Sequence, residues 1–317
     1  MQKMWIPKTD LMLSPIGLGT ARAGLDWDGA EADRIFDCYL ALGGNLIDTA
    51  RGYSDWVPPE VGRSERVIGD WLRRSGKRNA VVLATKGGLP DLKDMHTARM
   101  NEAQMRQDLE LSLKALGTDY IDLYFFHRDD PDQPVEESVE IMERFRQEGK
   151  IRYYGCSNWT AERIEAAQQY CREKGCIGFV ADEAMLNMAT EHMTALRDDT
   201  QTVITGDLYD YHCRDHGMLA VPYMGIARGF FHLYAAGGRE AVMNSQYYSE
   251  GNIRRAEYCV ELAKRRGVTM TQVVLGWLLD QPFPSLPLYG PMDTEQLTDA
   301  METLQVYFDE EDFQNMP

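Results

Sequence analysis

Apolar residues along the chain follow two alternating patterns. Val81-Val82-Leu83-Ala84-Thr85 is an apolar, β-branched run, the signature of a strand buried on both faces. Residues 120–126 and 151–156 read the same way, and residues 14–20, 45–48, 177–183, 219–224 and 285–289 complete a set of eight strands. Helical spacing occupies the stretches between them. Ile35, Phe36, Tyr39 and Leu40 share one face of residues 30–42. Met105, Leu109, Leu113 and Leu116 recur at helical intervals, and Gly117 stands where a C-cap belongs. Pro134 in the first turn opens a helix over 134–147, and another follows over 160–174. Strict alternation predicts an α/β fold with a parallel sheet covered by helices. Eight units within 317 residues predict closure into a (β/α)8, TIM-type barrel, a single domain spanning residues 1–317. Residues 184–207 are weakly periodic, contain the polar run Arg197-Asp198-Asp199-Thr200, and read as a long excursion between the sixth and seventh strands.

Composition adds exclusions. Hydrophobic residues make up 44% and charged residues 26%, as expected of a soluble globular chain. A net charge of -17 disfavours nucleic acid and anionic lipid as partners, and a polyanionic cofactor would need local positive features. The six cysteines form no C-x-x-C pair, so neither a disulfide framework nor a zinc site is expected. The start MQKMWIPKTD has no apolar core of a signal peptide, and no run reaches membrane-spanning length, so a cytoplasmic location is expected. A homo-oligomer is compatible with the sequence. Gly17-Leu18-Gly19 is followed only by Gly24, which breaks the G-x-G-x-x-G spacing of an open dinucleotide-binding sheet; these glycines read as a tight loop at the barrel mouth.

In such a barrel, functional groups sit at the C-terminal ends of the strands. Asp48 ends the second strand, Tyr53 lies in the loop after it, Lys86 ends the third and His127 ends the fourth. A phenol titrates near ~10 and is a poor proton donor at neutral pH unless an ammonium group favours its ionised form. Lys86 is placed to do that, with Asp48 holding the lysine charged, while His127 hydrogen-bonds a carbonyl oxygen. The set suits proton transfer to a carbonyl oxygen as a hydride reaches its carbon. Trp27, Trp56 and Trp159 lie in loops at the mouth, either as walls of a substrate pocket or as packing on the rim. His212, Cys213 and His216 lack a carboxylate at ligand spacing, so no metal site is expected and packing or surface roles are.

The motifs resemble those of the aldo-keto reductase superfamily. Asp48-Thr49-Ala50-Arg51-Gly52-Tyr53 is similar to its D-T-A-x-x-Y signature, and Arg63 to Gly69 to its S-E-x-x-[IL]-G stretch. Ala84-Thr85-Lys86, the segment from Asp119 to His127, and Gly155-Cys156-Ser157-Asn158-Trp159 resemble three further family strand ends. The resemblance implies Tyr53 as general acid, tuned by Lys86 and Asp48, with His127 orienting the carbonyl. It implies NAD(H) or NADP(H) as cofactor: Ser157, Asn158 and the residue at Glu183 on the carboxamide; Gly19 and Thr20 at the mouth; Met224, Gly225, Ile226 and Arg228 along the pyrophosphate; Gly290, Met292, Asp293 and Gln296 at the adenosine end.

The same resemblance exposes departures. Relatives carry glutamine at Glu183 and an aromatic at Leu186 that stacks on nicotinamide, and a G-x-[RK]-[ST] run where this chain has Gly290-Pro291-Met292-Asp293. Ala300 replaces an adenine-contacting asparagine. A phosphate contact is worth roughly 1.5–3 kcal/mol, so losing it costs about ten- to a hundredfold in NADPH affinity. Two readings follow. One is a carbonyl or alcohol oxidoreductase on a small polar substrate (sugar, polyol or aldehyde) that favours NAD(H). The other is a non-redox acid–base enzyme (lyase, hydratase or epimerase) on the same tetrad with impaired nicotinamide exchange, or a regulatory binding subunit, although a binding protein has no need to keep Tyr53 beside Lys86.

Overall fold

The computed structural model describes residues 3–214 and 217–317. A small antiparallel hairpin, β1 (Met4–Trp5) and β2 (Met12–Leu13), precedes the main sheet. The sheet strands are β3 (Gly17–Gly19), β4 (Leu46–Asp48), β5 (Val82–Gly87), β6 (Ile121–Phe126), β7 (Ile151–Ser157), β8 (Ala181–Glu183), β9 (Leu219–Ala220) and β10 (Leu288–Tyr289). They pair in parallel in the order β10-β3-β4-β5-β6-β7-β8-β9. The sheet closes because Ala220 bridges Ser285, and Leu286 N–H donates to the Ala220 carbonyl at 2.9 Å. The predicted (β/α)8 barrel is therefore present.

Helices α1 (Gly29–Ala41), α2 (Arg63–Ser75), α3 (Glu102–Leu116), α4 (Val135–Gln147) and α5 (Ala161–Lys174) follow the first five barrel strands. Local chemistry sets their ends. Asn101 and Thr160 accept N–H groups of the first turns of α3 and α5, while Gly117 and Gly175 stop them in left-handed geometry. Helices α6 (Gly206–Arg214), α7 (Phe230–Val242), α8 (Glu250–Arg266), α9 (Met270–Leu279), α10 (Thr294–Glu302) and α11 (Glu310–Gln314) complete the chain. No described helix is long and apolar enough to cross a membrane.

Alternation along each strand divides the core. Leu46, Val82, Ala84, Leu123, Phe125, Ala181, Leu219 and Leu286 pack inside the barrel, whereas Ile47, Leu83, Tyr124 and Phe126 meet the helices. The excursion between β8 and β9 contains one 3-10 turn, Thr190–His192, and α6. It is tied to the sheet: Met185 bridges both Val203 and Tyr223.

Candidate active site

Lys86 is the hub of the barrel mouth. It is 1% exposed, and its Nζ donates to Asp48 Oδ1 at 2.6 Å, to the Thr49 carbonyl at 2.9 Å and to the Tyr53 hydroxyl at 3.0 Å. Its fourth neighbour is Glu183 Oε1 at 3.1 Å. Register brings them near: Asp48 is level with Gly19 and with Ala84, two residues before Lys86 on the same side of β5, and Glu183 is level with Ser157, so these side chains gather at the C-terminal ends of β4, β5 and β8. The His127 ring stands edge-on to Tyr53 with centroids 5.7 Å apart. The four residues singled out in the sequence are thus in one cluster.

Electrostatics assigns their charges. Burial works against the charged form of Lys86, but the Asp48 and Glu183 carboxyls outweigh it and hold the ammonium well above the ordinary lysine range. Burial pushes the Tyr53 phenol up; Lys86 pulls it down but is opposed by Asp48 and Glu183. The expected lowering of the phenol pKa therefore does not occur in the free protein, where desolvation and two nearby anions exceed the one cation, and Tyr53 is a neutral donor. His127 is held well below the usual imidazole range by burial and by Arg128 and Lys86, and so is neutral. Glu183 is raised to about 8, chiefly by burial and then by Asp48.

Two cavities meet at this cluster. One, of ≈ 450 Å³, is lined by Tyr53, Trp56, His127, Arg128, Glu183 and Asp198 among others. The second, of ≈ 270 Å³, is bordered by Gly19, Thr20, Trp27, Met224, Gly225, Ile226, Arg228, Gly290 and Met292. Ala21, Tyr53, Tyr223 and Met224 line both. Met224, Ala227 and Arg228 all have positive φ (58°, 48° and 51°). Non-glycine residues rarely adopt that geometry, and such strain concentrates where backbone is shaped for a ligand. Helix α7 begins beside this loop with no side-chain cap, leaving N–H groups for an anion. A strained loop, the Arg228 cation and an uncapped helix start fit a diphosphate-bearing cofactor lying in the second cavity.

Several sequence expectations need correction. Trp159 is fully buried, packed on Phe126 and Phe179 outside the barrel wall, and does not reach the mouth. Trp27 is 3% exposed, packs edge-on to Phe36 and donates Nε1 to the Pro291 carbonyl, so it borders the second cavity and not the first. Trp56, 45% exposed, does wall the first. Asp293 and Gln296 line neither cavity. Asp293 caps α10 by accepting the Gln296 N–H, and the Gln296 side chain accepts the Met292 N–H. Leu186 faces a separate cavity with Trp277 and Phe313. Ser157 Oγ donates to the Glu183 carbonyl at 2.7 Å, and the Asn158 amide is bonded to Ser157, His127, Thr202 and Tyr223. His212 is buried against Asp182 at 2.9 Å, a packing role; His216 lies outside the described residues.

Two further residues, Arg128 and Tyr223, shape the mouth beyond those the sequence pattern singles out. Arg128, directly after His127, clasps Asp198 at 2.9 Å and Thr200 at 3.0 Å, pinning the excursion over the first cavity. Tyr223, just before the strained loop, stands between the cavities. Its position one residue ahead of Met224 was the available signal; nothing in the sequence pairs Arg128 with Asp198.

Comparison with known proteins agrees with this geometry. The profile of the Aldo/keto reductase family matches residues 15–316. The chain is 29% identical to aldo-keto reductase YhdN of Bacillus subtilis, over 92% of this chain and 85% of the relative. It is 28% identical to protein tas of Escherichia coli, over 98% and 95%. It is also 28% identical to norsolorinic acid reductase B of Dothistroma septosporum, over 96% and 77%.

Proposed function

The chain belongs to the aldo/keto reductase family, and from that premise we propose that it interconverts a carbonyl and an alcohol on a small polar substrate, such as a sugar, polyol or aldehyde, with NAD(H) favoured over NADP(H). The chain is an oxidoreductase of a family that works with nicotinamide cofactors; the substrate class, the tetrad roles and the cofactor preference are our reading, as is the view that the whole chain acts as one barrel domain.

The observation that carries it is the 3.0 Å contact from Lys86 Nζ to the Tyr53 hydroxyl where the two cavities meet. A bound nicotinamide would supply or accept the hydride. Tyr53, a neutral phenol, donates its proton to the carbonyl oxygen. Lys86 stabilises the phenolate left behind, because favouring the charged form of a neighbour is what a buried ammonium does. Asp48 fixes Lys86 in place. Neutral His127 shares the carbonyl oxygen and orients it. Trp56 and the Arg128–Asp198 clasp bound the substrate side.

Cofactor preference rests on the segment from Gly290 to Asp293. Met292, which borders the second cavity, offers no cation, and the carboxyl of Asp293 next to it in the chain is engaged as the α10 cap and offers no donor. Calorimetric titration should find NADH bound at least about tenfold more tightly than NADPH; tighter NADPH binding contradicts the preference.

A second reading, acid–base turnover without net redox change, draws on Leu186 facing elsewhere and on the fully engaged Asn158 amide, both of which alter the nicotinamide contacts. Absorbance of reduced nicotinamide separates the two. A stoichiometric change with product supports the oxidoreductase; product without any change supports the second reading.

A further inference from the structure

Glu183 has no part in the proton transfer just described, yet it is the least comfortable group at the mouth. It is 1% exposed, lies 3.1 Å from Lys86 Nζ through Oε1, and its Oε2 receives no hydrogen bond. The second oxygen of Asp48, Oδ2, likewise receives no donor from a third residue, and the two carboxyls act on each other: a hydrogen bond between them lowers Asp48 and raises Glu183, as one proton held between them requires. Two buried carboxyls therefore share one ammonium. If both ionise, the cluster carries one uncompensated negative charge; if Glu183 holds a proton, the cluster is neutral.

We propose that Glu183 is a proton-exchanging group that links the Asp48–Lys86–Tyr53 network to the redox state of the bound nicotinamide: it releases its proton to solvent when the ring is oxidised and cationic, and keeps it when the ring is reduced and neutral. The inference rests on the nicotinamide reading above. Its geometry is that Glu183 lines the first cavity at the junction where Tyr53 and Tyr223 meet the second. The ionisable groups acting on it are Asp48 from β4, Lys86 from β5, Tyr53 from the loop after β4 and Tyr223 from the loop after β9. Lys86 already holds a strong claim on Asp48 at 2.6 Å, so the shared proton resides on Glu183. Burial and Asp48 keep that proton on it up to about pH 8. A cation arriving within a few ångströms lowers a carboxyl pKa by about 1–3 units. The sign follows: between the lowered and the unlowered pKa, binding of the oxidised form expels a proton, so its affinity rises with pH, while the reduced form feels no such drive.

The test uses the full-length protein. Affinities for NAD+ and for NADH are measured from about pH 6 to about pH 9, with calorimetry in two buffers of different protonation enthalpy. NAD+ affinity should rise about tenfold across that range with up to about one proton released per site, and NADH affinity should stay within about twofold. Glu183→Gln should flatten the NAD+ response and abolish proton release. In the cofactor-free protein, infrared spectra should contain protonated-carboxyl absorption at about pH 7 that loses one component in that variant, while the component from Glu65 remains. Parallel pH responses of NAD+ and NADH in the unaltered protein overturn the inference while leaving the nicotinamide reading standing, as does proton release that survives Glu183→Gln. Failure of both forms to bind at any pH overturns the nicotinamide reading and this inference with it.

Discussion

At the scale of single residues, Tyr53 poses the sharpest question, because its phenol is pushed up by burial and by two carboxyls and pulled down by one ammonium. A phenol in that balance is a proton donor and not a stored phenolate, which suits reduction. Replacing the hydroxyl leaves the ring and its edge-on contact with His127 intact. Tyr53→Phe should therefore lower kcat by at least about a hundredfold, the scale of general-acid catalysis, while cofactor affinity changes less than about threefold. Steady-state kinetics with binding titration checks both parts, and retained turnover removes Tyr53 from its role. The tetrad itself was legible because four polar residues ended or followed adjacent strands. The state of Tyr53 was not, because one-to-one pairing with Lys86 ignored Glu183, which a sequence places on β8 without telling that its carboxyl reaches the same ammonium at 3.1 Å.

Elements decide what the adenosine end can recognise. Helix α10 starts at Thr294, and its cap, Asp293, accepts the Gln296 N–H at 2.8 Å. The acid is thus built into the helix start, and Met292 beside it is 51% exposed. Serine caps about as well as aspartate, so the double change Met292→Arg with Asp293→Ser keeps the helix, removes an anion and adds a cation. NADPH affinity should rise by about ten- to a hundredfold with NADH affinity nearly unchanged and Tm within about 2 °C; titration with both cofactors reads this, and an unchanged NADPH affinity means the 2′-phosphate lies elsewhere. Element by element, the strands with long apolar runs, β5, β6 and β7, were plain in the sequence. β1 and β2, two residues each, pair only with one another in a local hairpin, too short for periodicity to act on; β9, expected over residues 219–224, is confined to Leu219–Ala220. Trp159 follows the end of β7, a position that points to the mouth. Its ring instead turns back between Phe126 and Phe179, a choice set by packing from β6 and the segment before β8. The 184–207 excursion was recognised by its length, but its role as a cover came only with the Arg128–Asp198 pair.

For the whole molecule, buried carboxyls and net charge act in the same direction. Glu65 is fully buried, accepts a hydrogen bond from Thr85 at 2.7 Å, and is raised to about 7 by burial. Asp129 is raised to about 6 and Glu183 to about 8, also by burial first. A carboxyl whose folded pKa exceeds its unfolded value makes the native state bind more protons. Stability is then greatest below the unfolded pKa near ~4.5 and declines as pH climbs to the folded value. His127 works the other way: its folded pKa is depressed, so its contribution is present above ~6.5 and lost as pH falls below it. His232 is likewise held down by burial, and these three carboxyls against two imidazoles leave a net loss of roughly 2–5 kcal/mol between about pH 6 and about pH 8.5. A net charge of -17 adds self-repulsion at the alkaline end. Unfolding followed by calorimetry should give a Tm at about pH 6 that exceeds the value at about pH 8.5 by roughly 3–7 °C. Added salt at the higher pH should restore only the surface share, because buried groups are screened little. Glu65→Gln should recover part of the remainder, since it removes an ionisation that the folded core opposes. A Tm that climbs steadily to about pH 8.5 would mean that these carboxyls are already ionised at neutral pH, and the neutral, proton-holding state assigned to Glu183 would fall with them.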